Sequence, residues 1–344
     1  MSIKTLERKI TPTVKKLVEE YWLLDKSDKI LIVSDYPTST DFVDKQISLL
    51  SDMIERNLLA RSIKKVIETN FPNPTKIYFI EPTYQHHVDP NDPVLNKKVS
   101  EADFVFTITH FSLTGVKFFN DLLKRKAINQ CSSPQISIED FLPNGPIDVN
   151  VPYLKRLTTK IYNIIKETNN FRIFDPSGSS LEIIINKQVG MYCDTGIFEE
   201  KGLIMNIPSG EVGIDIIGPN NDNILVNGRL NIFPGWTEDL SEQITLWIKN
   251  NLITEVKGGG KKGKMMRELM KKTNLYVDQF GIGTNPNAKN PLSLIVADKI
   301  QGMAHISINP VKFEDNHFFF PVDYLIIDDK KYPKSHLFEL NEEE

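Results

Sequence analysis

The chain has 344 residues, of which 40% are hydrophobic and 25% are charged, and its formal net charge is -4 at pH 7. These values are typical of a globular protein with room for two ordinary domains. The acidic balance argues against a dedicated nucleic-acid-binding protein, because such proteins usually carry a basic surplus. No stretch reaches the roughly 18 uninterrupted apolar residues of a membrane span, so we expect no membrane association.

Cysteine usage indicates a reducing environment. Cys131 and Cys193 are the two cysteines of the chain, which is too few for a disulfide framework at this length. The first residues contain no apolar signal core. We therefore expect a cytoplasmic protein.

The first half of the sequence alternates strand and helix patterns. Continuous apolar runs, typical of strands covered on both faces, occur at 29–35, 76–80 and 102–108. Helical periodicity occurs at 10–24, 38–63, 115–126 and 152–170. Alternating strands and helices favour a parallel sheet with short right-handed crossovers. We predict an α/β fold that begins with a parallel-sheet domain over residues 1–170.

After residue 170 the pattern changes to antiparallel strands. The turn at 175–178, between apolar segments at 172–174 and 180–185, predicts a β-hairpin. Further strands are predicted at 224–230 and 244–248, and a helix at 261–273. We predict an α+β, largely antiparallel C-terminal domain over residues 171–344.

A carboxylate stands in a conformationally restricted segment, Asn206–Val212. Pro208 and Gly210 both precede Glu211 and fix the backbone there, so the direction of the Glu211 side chain is set locally. Carboxylates are standard ligands for zinc and similar ions and also serve as general bases. The alternative is a turn carboxylate that binds nearby amides.

Three later elements carry further candidate residues. The loop Gly281–Pro286 has two glycines that would let a backbone approach a ligand closely, although such glycines also mark ordinary turns. His305, in the apolar segment 303–309, is either a ligand or a satisfied core histidine. Asp323 lies in the apolar segment 321–327, and a buried aspartate needs a partner or a metal.

Two other histidines are weaker candidates. His317 precedes Asp323 by six positions, roughly 20 Å in an extended strand, so both reach one ion only if the chain bends. Pro321 would mark such a bend. His110 follows the predicted strand 102–108, at the carboxyl edge where α/β folds bind ligands.

Taken together, these segments resemble the aminopeptidase T family of thermophilic metallopeptidases over nearly the whole chain. Asn206–Val212 is similar to the family's Pro-x-Gly-Glu-Val segment, and Gln279–Pro286 is similar to its Glu-Leu-Gly-Ile-Gly-Thr-Asn-Pro segment. Gly302–Ile306 is similar to its Gly-x-x-His-Ile strand, and Asp323 to the aspartate of its final His-x-Asp. The resemblance implies a homodimer and a two-metal centre in the C-terminal domain that removes N-terminal residues from peptides.

Carried over position by position, the resemblance implies a reduced ligand set. Glu211, His305 and Asp323 match ligand positions, and Glu211 is also the candidate catalytic residue. Gln279 stands where the family has a glutamate, and Pro321 stands where it has a histidine. These two losses favour a single divalent ion (Zn, Co, Mn or Fe) over two. The residues expected to bind substrate or to lie beside the site are Gln279, Asn285 and His317.

The function predicted from the sequence is therefore a metal-dependent, aminopeptidase-like hydrolase with a remodelled site and a peptide or small-molecule substrate. One alternative is an inactive member of the family, without a metal, that binds peptides or a protein partner. Another is a mononuclear-metal enzyme of different chemistry on the same scaffold. A dioxygenase that acts on a dihydroxypyridine resembles this family too, and two acids with one histidine loosely suit non-haem iron.

Overall fold

A computed structural model describes residues 2–90, 92–218, 221–237, 240–310 and 316–340. The chain divides into two compact units: Met1–Val151 with Gly196–Ser209, and Pro152–Thr195 with Gly210–Glu344. The sequence predicts one boundary near residue 170. In the structure the helix before that point lies almost wholly in the second unit, because its buried side chains Leu157, Ile161 and Ile165 join that unit's core.

The first unit is a parallel sheet with helices. Its strands are β1 (Ile30–Asp35), β2 (Thr75–Ile80), β3 (Phe104–Ile108), β4 (Asn129–Ser132) and β8 (Ile204–Asn206), in the order β2-β1-β3-β4-β8. Its helices are α1 (Ile3–Lys16), α2 (Asp41–Asp44), α3 (Ile47–Asn70), α4 (Pro93–Ser100) and α5 (Lys117–Lys126), and a π-helical turn (Leu17–Tyr21) and a 3-10 turn (Glu139–Phe141) complete it. All four strand pairings are parallel, which confirms the predicted α/β architecture.

Helix α3 begins later than its sequence pattern predicts. Residues 41–44 form the separate short helix α2, and α3 starts at Ile47 and runs to Asn70. Asp41 accepts hydrogen bonds from the backbone of Thr38 at 2.6 Å and from the hydroxyl of Tyr84 at 2.7 Å. The bond to Tyr84 comes from far along the chain, and local periodicity does not contain it.

The second unit is dominated by antiparallel strands. These are β5 (Asn170–Phe174), β6 (Ser180–Ile185), β7 (Met191–Asp194), β9 (Glu211–Asp215), β10 (Ile224–Ile232), β11 (Ile244–Lys249), β12 (Leu252–Gly258), β13 (Tyr276–Gly283), β14 (Met303–Asn309), β15 (His317–Pro321), β16 (Tyr324–Ile327) and β17 (Lys330–Pro333). The helices are α6 (Val151–Lys166), α7 (Gly260–Met270), α8 (Leu294–Ala297) and α9 (Lys334–Phe338). The strand order is β15-β14-β13-β12-β11-β10-β6-β5-β16-β17, and β9 pairs with both β13 and β7.

Alternation along β9, β13 and β14 separates an apolar face from a polar face. Val212, Ile282 and Ile306 lie in the hydrophobic core of the second unit. Successive side chains of a strand point to opposite faces, so Glu211 and His305 point away from that core. The sheet thereby holds polar groups on a rigid support. Among the described residues, no helix has the length and apolar character needed to cross a membrane.

Candidate metal centre

Five neighbouring strands, in the order β7-β9-β13-β14-β15, present one shared face. Asp194 lies opposite Glu211, and Glu211 lies opposite Gly283. Further along, Gly281 lies opposite His305, and His305 lies opposite Phe319. Residues two apart in a strand share a face, so the register collects distant parts of the sequence. The polar side chains of this face include Tyr192, Asp194, Glu211, Gln279, His305 and His317.

The two glycines of the predicted Gly281–Pro286 loop lie in strand β13, and they leave space for this cluster. A Cβ atom at Gly281 would lie 2.6 Å from Oε1 of Glu211 and 2.7 Å from Nε2 of His305. A Cβ atom at Gly283 would lie 2.6 Å from the carbonyl carbon of Lys299. The lack of a side chain at Gly281 leaves room for the side chains of Glu211 and His305. The lack of one at Gly283 leaves room for the backbone that follows α8.

Replacing Gly281 with alanine should destabilise the protein by about 1–3 kcal/mol, the usual cost of overpacking. The added methyl group would displace Glu211 or His305, which we expect urea unfolding to detect. Gly218→Ala is the comparison for backbone strain alone, because Gly218 has φ +79° and no described atom lies within 4 Å of the added Cβ. Gly281 has no such strain, so an unchanged free energy of unfolding in Gly281→Ala would show that Gly281 is not a packing position.

Glu211 is buried and engaged at both carboxylate oxygens. Tyr192 donates a hydrogen bond to Oε1 at 2.8 Å, and Lys299 donates one to Oε2. Burial is the largest influence on the pKa of Glu211 and raises it, but the positive charge of Lys299 and the hydrogen bonds from Lys299 and Tyr192 act against burial, and the pKa is lowered. Glu211 is therefore an ionised, tightly held carboxylate.

Lys299 is a buried ammonium that the sequence analysis missed. Its Nζ also lies 3.8 Å from Oδ2 of Asp194. Burial lowers the pKa of Lys299, yet Glu211, Asp194 and Asp298 together raise it above its usual value. The backbone N–H of Asn285 donates to the carbonyl of Lys299 at 2.8 Å. Asn285, expected beside the site, thus fixes the loop that carries this lysine.

Asp298, His305 and His317 form a cluster with metal-ligand spacing. Each offers one donor atom, and these atoms all lie within 4.8 Å of one another. Nε2 of His305 is 3.7 Å from Oδ1 of Asp298. Within the described part of the chain, both of these atoms are buried without a hydrogen-bond partner. Buried polar atoms are costly when unsatisfied, and two imidazoles with one carboxylate are a known donor set for divalent metals. The three residues fit a single ion.

The protonation of both histidines suits metal binding. Burial is the main cause that lowers the pKa of His305, despite the opposing effect of Asp298 and Glu211, so its imidazole is neutral. Nε2 of His317 lies 3.3 Å from Oε1 of Gln279, whose Nε2 donates to the hydroxyl of Tyr192 at 3.0 Å. The amide oxygen only accepts, so it holds the His317 proton on Nε2 and leaves the lone pair on Nδ1. Gln279 therefore orients a histidine.

The structure brings together only part of the ligand set predicted from sequence. Glu211 and His305 meet, with Oε1 and Nε2 3.4 Å apart, and His317 joins them. Asp323 does not lie in the cluster. It is exposed, and its backbone N–H donates to the carbonyl of Phe174 in β5 at 2.9 Å. The chain after β15 crosses to the opposite end of the strand order, which carries Asp323 away from His305.

The aspartate of the cluster is instead Asp298, in the segment Ala297-Asp298-Lys299-Ile300. The sequence contains one indication of this part of the site, namely the opposite charges of Asp298 and Lys299 between the apolar helix α8 and the apolar strand β14. Tyr192 and Asp194 were also missed, and their signal was a polar alternation along the short strand β7. Such signals are weak, because most charged residues between two elements are solvated.

His110, in the first unit, has a different environment. Its Nδ1 lies 2.7 Å from Nη2 of Arg56, and its backbone N–H donates to Oδ2 of Asp35 at 2.7 Å. Burial and then Arg56 lower the pKa of His110 to about 3. It is a neutral imidazole that accepts a hydrogen bond from a guanidinium.

Comparison with known proteins identifies structural relatives only. No family model and no curated protein matches this chain. The structure of 2,5-dihydroxypyridine dioxygenase from Pseudomonas putida KT2440 is similar at a TM-score of 0.69 and 14% identity, covering 100% of this chain and 99% of that chain. Wild-type AmpT from Thermus thermophilus is similar at a TM-score of 0.55 and 10% identity, covering 95% and 98%. The chain shares the fold of these proteins, and the expected metallopeptidase-like fold is confirmed at that level.

Proposed function

We propose that this chain is a mononuclear metal enzyme that holds one divalent ion with Asp298, His305 and His317. One observation carries the proposal: one donor atom of each residue lies within 4.8 Å of the others, and Nε2 of His305 and Oδ1 of Asp298, 3.7 Å apart, are buried without a hydrogen-bond partner among the described residues. Two histidines with one carboxylate favour iron(II) among the biological metals. This donor set replaces the one expected from sequence, which used Glu211 and Asp323.

The reaction we propose is a dioxygenase-like oxidation of a small aromatic substrate. The likeness to 2,5-dihydroxypyridine dioxygenase covers the full chain and has a higher TM-score than the likeness to AmpT. When bound, iron(II) in such a donor set supplies oxidation chemistry with dioxygen at open coordination positions. Asp298 and His317 are only half-buried, which leaves an approach to the centre.

The surrounding residues would orient the ligands and exclude water. Phe319 is buried and stacks on His317, with an interplanar angle of 17° and ring centroids 6.1 Å apart. Its centroid is 5.6 Å from that of His305. This aromatic wall is a suitable surface for a flat ring, because aromatic groups pack well in offset or edge arrangements. Burial and then Glu211 raise the pKa of Tyr192 well above its ordinary value, so Tyr192 stays a proton donor to Glu211.

Aminopeptidase-like hydrolysis is the second candidate, supported by the likeness to AmpT over 95% of this chain. It needs a group that takes a proton from water. Glu211 was the expected base, yet Lys299 and Tyr192 hold both of its oxygens and its pKa is lowered. This environment opposes proton uptake and favours the oxidative proposal. A homodimer, inferred from the family resemblance, stays a prediction.

The decisive experiment is anaerobic loading with Fe²⁺, followed by metal analysis and oxygen-uptake measurements with 2,5-dihydroxypyridine. We expect about one ion per chain and oxygen uptake that depends on both iron and substrate. Zn²⁺-loaded protein is the matched control, since zinc has no redox chemistry. Release of amino acids from short peptides, without oxygen uptake, would establish the hydrolase instead. If the protein binds none of Fe²⁺, Zn²⁺, Mn²⁺ and Co²⁺, both the oxidative and the hydrolytic function are wrong.

A further inference from the structure

We propose that Lys299 limits this centre to one metal ion, because its ammonium occupies the place of a second cation between Glu211 and Asp194. The inference rests on the proposed function for the identity of the first ion. It concerns a different pair of carboxylates, Glu211 and Asp194, and it can be tested separately from the proposed function. The relevant property is the number of ions that the centre accepts.

The geometry around Lys299 is that of an enclosed cation site. Its side chain is 1% exposed, donates a hydrogen bond to Oε2 of Glu211, and lies 3.8 Å from Oδ2 of Asp194. Asp194 and Glu211 are paired across strands β7 and β9, so two carboxylates from adjacent strands converge on one positive charge. Carboxylate oxygens that converge in this way are also what a divalent ion binds.

The charge balance of the centre points to the same conclusion. Asp194, Glu211 and Asp298 are the carboxylates around Lys299, and the ammonium neutralises one of their three negative charges. The two that remain match a single divalent ion. Removing the ammonium leaves an excess negative charge in a buried place, where it strongly attracts a cation.

A lysine that only stabilises the fold would behave differently. Its removal would weaken folding through an unpaired buried carboxylate, but it would create no new metal site. The number of bound ions therefore distinguishes the two roles, whereas stability alone does not. The two roles also differ in whether added metal restores stability.

The test is a count of Mn²⁺ ions bound by Lys299→Ala and by the unaltered protein, with thermal unfolding measured at each Mn²⁺ concentration. We expect about one ion in the unaltered protein and about two in the variant, as in two-metal sites. We also expect a Tm that rises with Mn²⁺ more steeply in the variant. Lys299→Arg keeps the positive charge and should bind about one ion. Lys257→Ala, which removes an exposed lysine 3.1 Å from Glu255, should also bind one.

His317→Ala separates the inference from the proposed function. Combined with Lys299→Ala, it should remove the first ion and leave about one, held by Glu211 and Asp194. If the unaltered protein binds no ion while Lys299→Ala binds one that survives His317→Ala, the proposed function fails, and the part of the inference that stands is that the Lys299 ammonium occupies a cation site between Glu211 and Asp194. An equal count in Lys299→Ala and the unaltered protein overturns the inference. If metal-free Lys299→Ala does not fold, the ions are counted on protein refolded with Mn²⁺: about two ions per chain support the inference, whereas one ion, or failure to refold, overturns it.

Discussion

Replacing Lys299 with methionine is expected to lower the free energy of unfolding of the metal-free protein by about 3–5 kcal/mol, the usual cost of removing one partner of a buried ion pair. Methionine fills much of the same volume but donates no hydrogen bond. Glu211, 3% exposed, then retains a buried negative charge, and the contacts that remain to its carboxylate are with the hydroxyl of Tyr192 and Nε2 of His305. Most of the loss comes from that uncompensated carboxylate.

Urea unfolding of three variants tests this expectation. The double variant Glu211→Gln/Lys299→Met removes both charges and should recover much of the stability, because the two substitutions are coupled. Lys64→Met removes an exposed pair with Glu68 and should cost less than about 1 kcal/mol. If Lys299→Met resembles Lys64→Met, or if the double variant loses the sum of both single effects, the buried pair does not have the role described.

The second large effect is expected on the affinity of the protein for its metal ion. Asp298→Asn should weaken binding of Fe²⁺ or Mn²⁺ at least about 100-fold, because even a residue that only supports a ligand is worth 10–100-fold. The substitution keeps the size of the side chain and removes its charge. Asp323→Asn is the matched control, since Asp323 is exposed and outside the cluster. It should leave the affinity unchanged.

Metal competition against a chelator measures both affinities on the same scale. The comparison also decides between two ligand assignments, one from sequence resemblance and one from spatial proximity. A large loss in Asp323→Asn with none in Asp298→Asn would restore the sequence-based assignment. Urea unfolding of the two metal-free variants checks that both are folded, so that the affinities can be compared directly.

The sequence contains much of the fold because its signals are local. Continuous apolar segments marked β1, β2 and β3, and their alternation with helices indicated a parallel sheet, which the structure has. The start of α3 was not predictable in the same way. The predicted segment is divided into α2 and α3, and Asp41 of α2 is bonded to Tyr84, which lies 43 residues along the chain. Local periodicity carries no information on such a contact.

The candidate site was predictable only where a residue lies within a regular strand. Glu211 stands out because it follows Pro208 and Gly210, and His305 because it is polar in an otherwise apolar segment. The register of β9, β13 and β14 brings them together. Asp298 and Lys299 follow a four-residue helix in a loop, and their position depends on backbone contacts such as the one from Asn285. Asp323 was assigned by motif position alone, and the path of the chain after β15 carries it elsewhere.

Strand β13 lies between two parts of the centre whose polar atoms nevertheless come close together. Glu211 and His305 belong to strands separated by β13, roughly 9–10 Å apart between backbones, yet their polar atoms approach to 3.4 Å. The bare backbone at Gly281 allows this approach across the intervening strand. This contact links Glu211 and Lys299, on one side of β13, to His305 and His317 on the other. Any side chain at position 281 would overlap Glu211 and His305, and the resulting separation would weaken the interaction between the two parts of the centre.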